Sequence, residues 1–134
     1  MTLAKKEMNM EDRELFQKAQ SVLKNAYVPF SGFRVGAALL TAEGKVFTGV
    51  NVENSSYGGT ICAERTACVK AISEGAADFV TIAIAAEQGC AFPCGICRQF
   101  LYEFAPALRV IVGEDEEHLK EYTLQELLPE GFRI

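Results

Sequence analysis

The sequence predicts an α/β fold, in which helices cover both faces of one mixed sheet. Two observations support this fold class. Segments with helical and strand-like patterns alternate along most of the chain, and no linker, internal repeat or low-complexity segment separates them. At 134 residues the chain fits one domain, which removes roughly two thirds of its extended surface from water on folding.

The first half of the chain is predicted to form a helix followed by a hairpin. The stretch "MEDRELFQKAQSVLKNAY" has apolar residues at helical spacing and acidic residues in its first turn. After "VPFSG", the stretch "FRVGAALLT" alternates, which places Phe33, Val35, Ala37 and Leu39 on one face of a strand. "AEGK" then forms a turn, and "VFTGVNV" is the returning strand.

The second half is predicted to alternate between helices and buried strands. "CAERTACVKAISEG" is a helix that ends at Gly75, and "CGICRQFLYEF" is a second, shorter helix. "FVTIAIAA" and "LRVIVG" are buried strands, and a last short helix in "TLQELL" ends before Pro129. Each of the two longer helices therefore begins at a cysteine.

Composition and charge exclude several classes of function. Apolar residues make up 49% of the chain, but no apolar run has the length of a membrane span, and "MTLAKKEMNMEDRE" at the start is polar. We therefore expect a cytoplasmic protein with no membrane partner. The net charge of −5 and the scattered basic residues also predict that it binds no nucleic acid.

The cysteines indicate a metal site. Five cysteines without a secretion signal favour metal or thiolate chemistry over a disulfide framework. Cys94 and Cys97 are three residues apart on the first turn of one helix, and Cys62 begins another. Because helical side chains tilt toward the N-terminus, two such helix ends could enclose one ion. A lone C-x-x-C pair could instead be a redox pair or half of a structural zinc site.

Three thiolates leave a fourth tetrahedral position for water, as in a catalytic zinc site. Cys68 lies nearly two turns into its helix and is predicted to be a buried apolar residue. Cys90, in the loop before "PCGIC", could be a fourth ligand and would then close a structural Cys₄ site. His118 lies in the acidic stretch "GEDEEHLKEY" and is predicted to be a solvated surface residue.

Three charged residues adjoin these cysteines. Arg65 is on the same helix face as Cys62, and Arg98 adjoins Cys97, so either could donate hydrogen bonds to a ligand sulfur. Glu64 shares a helical turn with Cys62, where its carboxylate could act as a base toward water at the metal. The alternative for Glu64 is a carboxylate that only stabilises the helix dipole.

"CAE" followed by "PCGIC" resembles the zinc-dependent nucleobase deaminases. The chain as a whole resembles the cytidine deaminases of the short, all-cysteine, homotetrameric class. The resemblance includes "VPFSGFRVGAAL", "FTGVNVENSSY", "CAERTA", "PCGICRQ" and "ELLPEGF". It implies one catalytic domain over residues 1–134, folded as a three-layer α/β/α sandwich with a mixed five-stranded sheet.

The resemblance also implies the residues of the site. One Zn²⁺ per chain would be bound by Cys62, Cys94 and Cys97, with Glu64 as the catalytic proton shuttle and Arg65 beside the ligands. The residues that it assigns to the substrate are Asn51 and Glu53 for the ribose 3′-hydroxyl, Phe33 and the Ala63 backbone for the base, and Tyr57 and Phe132, which enter a neighbouring subunit's pocket. Asn51 and Glu53 would share one face if "NVEN" is a strand, although polar residues also commonly end strands. Gly59, Ile96 and Phe30 depart from the family's usual pattern, and they bear on pocket shape and subunit contacts.

The activity that the resemblance implies is hydrolytic deamination of cytidine and deoxycytidine to the uridines, with release of ammonia, in pyrimidine salvage. The substrate would be a pyrimidine nucleoside, and the assembly a homotetramer whose neighbouring subunits complete each active site. A deaminase of the nucleoside antibiotic blasticidin S is the nearest alternative, although "NVEN" favours an ordinary ribose. Deaminases of transfer RNA or guanine normally have histidine in place of Cys62. A regulatory or structural zinc module would instead use a closed Cys₄ site.

Overall fold

The structure is a computed structural model that describes residues 10–134. The polar segment that the sequence analysis found at the N-terminus lies partly in residues 1–9, outside the described residues. The elements, in chain order, are α1 Met10–Ser21, β1 Val35–Thr41, β2 Val46–Val50, α2 Ala63–Ser73, β3 Phe79–Ala86, α3 Gly95–Phe104, β4 Arg109–Gly113, β5 Leu119–Thr123 and α4 Leu124–Leu127.

The five strands form one mixed sheet in the order β2-β1-β3-β4-β5. β1 pairs antiparallel with β2 and β3, β3 pairs parallel with β4, and β5 is antiparallel to β4. The central position of β3 explains its sequence, because a strand covered on both faces has apolar residues at nearly every position. The predicted mixed five-stranded sheet is confirmed.

Two hydrophobic clusters lie on opposite faces of this sheet. α1 contributes Leu15, Phe16 and Ala19 to the cluster on one face. α2, α3 and α4 pack over the other face, where their apolar side chains meet those of β1, β3 and β4. The predicted three-layer arrangement is therefore confirmed. Within the described residues no helix has both the length and the apolar character needed to cross a bilayer. The prediction of one domain over residues 1–134 stays a prediction.

The structure corrects the predicted bounds of the hairpin. β1 begins at Val35, so Phe33 is not part of that strand. The Phe33 backbone bonds to two side chains instead of a neighbouring strand: its N–H donates to Ser31 Oγ at 3.0 Å, and its carbonyl accepts from Asn51 Nδ2 at 2.9 Å. β2 ends at Val50, and Val52 forms only isolated bridges, to Tyr27 and Ile61. "NVEN" is therefore not a continuous strand.

Gly49 allows β2 to approach α2 closely. A Cβ atom at this position would lie 2.4 Å from the Ala67 nitrogen and 2.7 Å from the Ala63 carbonyl oxygen. The absence of a side chain at Gly49 therefore sets how closely the first turn of α2 approaches the sheet.

We expect Gly49→Ala to lower the free energy of unfolding by about 2 kcal/mol, because the added methyl displaces the α2 backbone. The midpoint of urea denaturation measures this. Gly58→Ala is the matched control, because a Cβ at Gly58 would meet nothing within 4 Å. Equal midpoints for the two variants would contradict the inference that Gly49 is needed for the close approach of β2 to α2.

Candidate active site

Three cysteine sulfurs meet where α2 and α3 begin. The Sγ atoms of Cys62, Cys94 and Cys97 all lie within 4.8 Å of one another, and those of Cys62 and Cys94 are 3.8 Å apart. Zn–S bonds of about 2.3 Å in tetrahedral geometry place two sulfurs about 3.8 Å apart. These three cysteines are the cluster of potential metal ligands found among the described residues. Both the chemistry and the spacing of their sulfurs fit zinc.

The local backbone brings these sulfurs together. Cys62 is the N-cap residue of α2 and Cys94 is the N-cap residue of α3, as the sequence predicted. Cys94 Sγ accepts a hydrogen bond from the Cys97 backbone N–H at 3.5 Å, which folds the first turn of α3 around it. The positive ends of two helix dipoles therefore lie next to sulfurs that bind a metal as thiolates.

Arg65 bonds to one of these sulfurs, whereas Arg98 has a different role. Arg65 Nη2 lies 3.5 Å from Cys62 Sγ and 3.5 Å from the Thr60 carbonyl oxygen. Hydrogen bonds from the Cys97 thiol and from Arg65 lower the pKa of the Cys62 thiol, against the effect of partial burial. Arg98 donates instead to the carbonyl oxygens of Pro93 and Leu127, at 2.7 and 2.8 Å, and so joins α3 to α4.

The two other cysteines lie outside the sulfur cluster. Cys68, on α2, is fully buried in the hydrophobic core, as predicted, and burial raises the pKa of its thiol to about 11. Cys90 is half-buried and lines the cavity beside the cluster, but it does not belong to the group of three. This placement argues against a closed Cys₄ site. His118 is exposed and pairs with Asp115 at 2.9 Å, as expected for a surface residue.

Glu64 lies on the first turn of α2 and is only 3% exposed. Burial raises the pKa of its carboxyl group to about 7, while its own backbone N–H acts in the opposite direction. The carboxyl group lines the same cavity as Cys62 and Cys94. A buried carboxyl group with a pKa near neutrality can both accept and return a proton, which is the property that a general acid–base catalyst requires.

The cavity has a volume of about 300 Å³, at the lower end of the range for small-molecule sites. It brings together Phe33, Asn51 and Ala63 with Glu64 and two of the clustered cysteines, Cys62 and Cys94. Cavity residues to which the sequence analysis gave no such role are Val35, Cys90, Ala91 and Phe92. The last three lie in an irregular stretch without periodicity, so no sequence pattern indicated that they line a cavity.

Asn51 and Glu53 both bond to the segment before β1, and Asn51 also bonds to the first residue of β1. Asn51 Oδ1 accepts from the Val35 N–H at 3.0 Å, in addition to the bond from Asn51 to Phe33. Glu53 Oε1 accepts from the backbone N–H groups of Phe30 and Ser31, at 3.0 and 3.1 Å, and Glu53 Oε2 accepts from the Ser31 hydroxyl. The Ser31 hydroxyl and these two N–H groups lower the pKa of Glu53, so it is a carboxylate at neutral pH.

Glu53 and Tyr57 line a second depression of about 290 Å³ with Phe30, Ser31 and Thr60. Tyr57 is 75% exposed, and its ring centroid lies 5.6 Å from that of Phe30. Phe132 is also exposed, and its carbonyl oxygen accepts from Gln99 Nε2 at 3.0 Å. Neither Tyr57 nor Phe132 lines the cavity beside the sulfurs within one chain.

Comparison with known proteins identifies the family. The model of the cytidine and deoxycytidylate deaminase zinc-binding region matches residues 9–114, a segment that contains the three clustered cysteines and Glu64. The chain belongs to the cytidine and deoxycytidylate deaminase family. A protein of Dictyostelium discoideum named "Probable cytidine deaminase" is 52% identical over 125 residues, which cover 91% of this chain and 84% of that protein. The cytidine deaminase of Halalkalibacterium halodurans is 47% identical, over 92% of this chain and 95% of that protein.

Solved structures of cytidine deaminases have the same fold. The enzyme from Burkholderia pseudomallei superposes with a TM-score of 0.84 at 42% identity, covering 89% of this chain and 97% of that one. The enzyme from Mycobacterium tuberculosis gives a TM-score of 0.82 at 34% identity, covering 94% and 100%. The predicted cytidine deaminase-like fold and the predicted family are confirmed, and the Cys62, Cys94 and Cys97 cluster suits the zinc site of this deaminase family.

Proposed function

We propose that this protein catalyses the zinc-dependent hydrolytic deamination of cytidine and deoxycytidine to uridine and deoxyuridine, with release of ammonia. Pyrimidine salvage is the general role of this reaction. The observation that carries the proposal is a cluster of three thiols, two of which line one cavity of small-molecule size together with a buried glutamate. The deaminase family to which the chain belongs supports the same reaction.

Cys62, Cys94 and Cys97 are the residues that would hold one zinc ion per chain. The ion supplies Lewis-acid activation of water. Arg65 withdraws charge from the Cys62 sulfur through its hydrogen bond, which offsets part of the negative charge of three thiolates. Glu64 would act as the catalytic proton shuttle: its carboxylate takes one proton from the attacking water and delivers it to N3 of the pyrimidine while the water oxygen bonds to C4. Glu64 then carries the second proton, from the new hydroxyl group on C4, to the amino group. The C4–N bond breaks, the hydroxyl oxygen becomes the carbonyl oxygen of uridine, and ammonia leaves.

The substrate would span the two depressions, with its base in the cavity and its sugar toward Glu53. Phe33 packs against the pyrimidine, and the Ala63 backbone contacts the base. Asn51 retains one amide N–H beyond its bond to Phe33, and Glu53 retains an acceptor position, so both can bind the ribose 3′-hydroxyl. This assignment favours nucleosides over the free base.

We further propose a homotetramer in which Tyr57 and Phe132 enter the active site of a neighbouring subunit. Both rings are largely exposed in the single chain, at 75% and 65% respectively. The Phe30 ring packs at a tilt against Tyr57, so this position, which departs from the family's usual pattern, lies beside one of the two rings. Ile96, another such position, is exposed at the start of α3. The net charge of −5 supports small-molecule substrates over nucleic acid. The cytoplasmic location stays a prediction.

The proposed function is tested by the loss of ultraviolet absorbance when purified, zinc-quantified protein is incubated with a nucleoside. We expect rapid loss with cytidine and deoxycytidine, and little with cytosine, CMP or blasticidin S. Rapid loss with blasticidin S alone would favour the antibiotic deaminase. No loss with any of the five compounds, at one zinc per chain, would contradict the proposed function.

A further inference from the structure

We infer that Ser31 is a positioning residue that orients the Glu53 carboxylate for the sugar of the substrate. Ser31 lies in the turn before β1 and contacts Glu53 twice, through its backbone N–H at 3.1 Å to Oε1 and through its hydroxyl to Oε2. Of the two residues that donate hydrogen bonds to Glu53, Phe30 bonds to one carboxylate oxygen and Ser31 bonds to both. This inference rests on the proposed function, in which Glu53 binds the ribose.

The acceptor positions of Glu53 show why the hydroxyl matters. A carboxylate has about four lone-pair positions. Two on Oε1 are used by the N–H groups of Phe30 and Ser31, and one on Oε2 is used by the Ser31 hydroxyl. The position left for a ligand hydroxyl is on Oε2, and the Ser31 hydroxyl fixes the direction in which it points.

The same hydroxyl connects the sugar-binding and base-binding residues. Ser31 Oγ accepts from the Phe33 backbone N–H at 3.0 Å while it donates to Glu53. Asn51 holds the carbonyl oxygen of Phe33 at 2.9 Å. Phe33 therefore keeps a hydrogen bond to Asn51 when the Ser31 hydroxyl is removed, whereas Glu53 Oε2 loses the bond that orients it.

The Ser31 hydroxyl is not needed to close the turn itself. The Gly32 N–H already donates to the Val28 carbonyl oxygen at 2.9 Å, and the positive φ of Gly32, +70°, suits glycine. Ser31 is also exposed, so its replacement by alanine leaves no buried cavity. A loss of function in Ser31→Ala would therefore report on orientation rather than on folding.

The experiment measures kcat and KM of Ser31→Ala for cytidine and for 3′-deoxycytidine, which lacks the hydroxyl that Glu53 would bind. We expect KM for cytidine to rise about tenfold, as for loss of one hydrogen bond to a charged group, with kcat within about twofold. KM for 3′-deoxycytidine should stay within about twofold of the wild-type value. Ser31→Thr keeps the hydroxyl and should restore KM for cytidine. KM does not depend on the concentration of active protein, so partial misfolding does not affect the comparison.

Ser21→Ala is the matched control, because Ser21 is an exposed serine on α1 whose hydroxyl donates to the Lys18 carbonyl at 2.7 Å. It should leave both KM values unchanged. The inference is overturned if Ser31→Ala leaves KM for cytidine unchanged, or raises KM for both nucleosides equally. A wild-type protein that deaminates neither nucleoside would overturn the proposed function together with the inference, whereas an active wild type with an unaffected Ser31→Ala would overturn the inference alone.

Discussion

Glu64→Gln should lower kcat/KM for cytidine about 10³-fold and leave the zinc content at one per chain. Glutamine has nearly the shape of glutamate, so it fills the buried position of Glu64 without creating a cavity. It cannot accept or return a proton, and loss of a general acid–base group typically costs 10²- to 10⁴-fold in rate. Steady-state kinetics and metal analysis of the same preparation measure the two effects.

Glu74→Gln is the control for this prediction. It makes the same chemical change at the C-terminal end of α2, where Glu74 is exposed and lines neither the cavity nor the second depression. Activity should remain at the wild-type level. Near-normal turnover by Glu64→Gln would show that the carboxylate only stabilises the helix dipole, which is the alternative that the sequence left open. Loss of zinc in Glu64→Gln would indicate a role in the metal site instead.

Cys94→Ala is the second change with a large expected effect, since it removes one of three sulfurs. We expect the zinc content to fall from one per chain to near zero, with loss of measurable deamination. A ligand at 100 times its Kd stabilises a protein by about 2.7 kcal/mol, so loss of the ion should lower Tm by roughly 10 °C. Metal analysis and thermal denaturation measure both effects. Chelation of the wild-type protein should lower Tm in the same direction.

Cys90→Ala distinguishes an open Cys₃ site from a closed Cys₄ site. Cys90 lines the cavity but lies outside the cluster of three sulfurs, so this variant should retain one zinc per chain. Zinc loss in Cys90→Ala would support a structural Cys₄ module, and retention of zinc by Cys94→Ala would rule Cys94 out as a necessary ligand.

The parts of the fold that could be predicted from sequence are those with strong local patterns. The continuous apolar run of β3 and the helical periodicity of α1 indicated their type directly. β5 was not found from its pattern, because "LKEYT" is a half-exposed edge strand in which charged residues interrupt the alternation. Only the family resemblance supplied the fifth strand.

The same contrast holds for the site. The sulfur cluster could be predicted because helix geometry fixes where first-turn side chains meet, and cysteine spacing is visible in the sequence. The hydrogen bonds of Ser31 could not be predicted, because they depend on how an irregular turn lies against the residues after β2. Phe92 likewise reaches the cavity through an irregular loop, where its ring also contacts Tyr122 with centroids 5.6 Å apart.

The positions of the three cysteines in the chain determine how much of the protein must be synthesised before it can bind zinc. Cys62 and Cys94 are 32 residues apart, and β3 lies between them as the central strand. The sulfurs meet only after β3 has joined the sheet, so a ribosome must release much of the chain before the ion has a binding place.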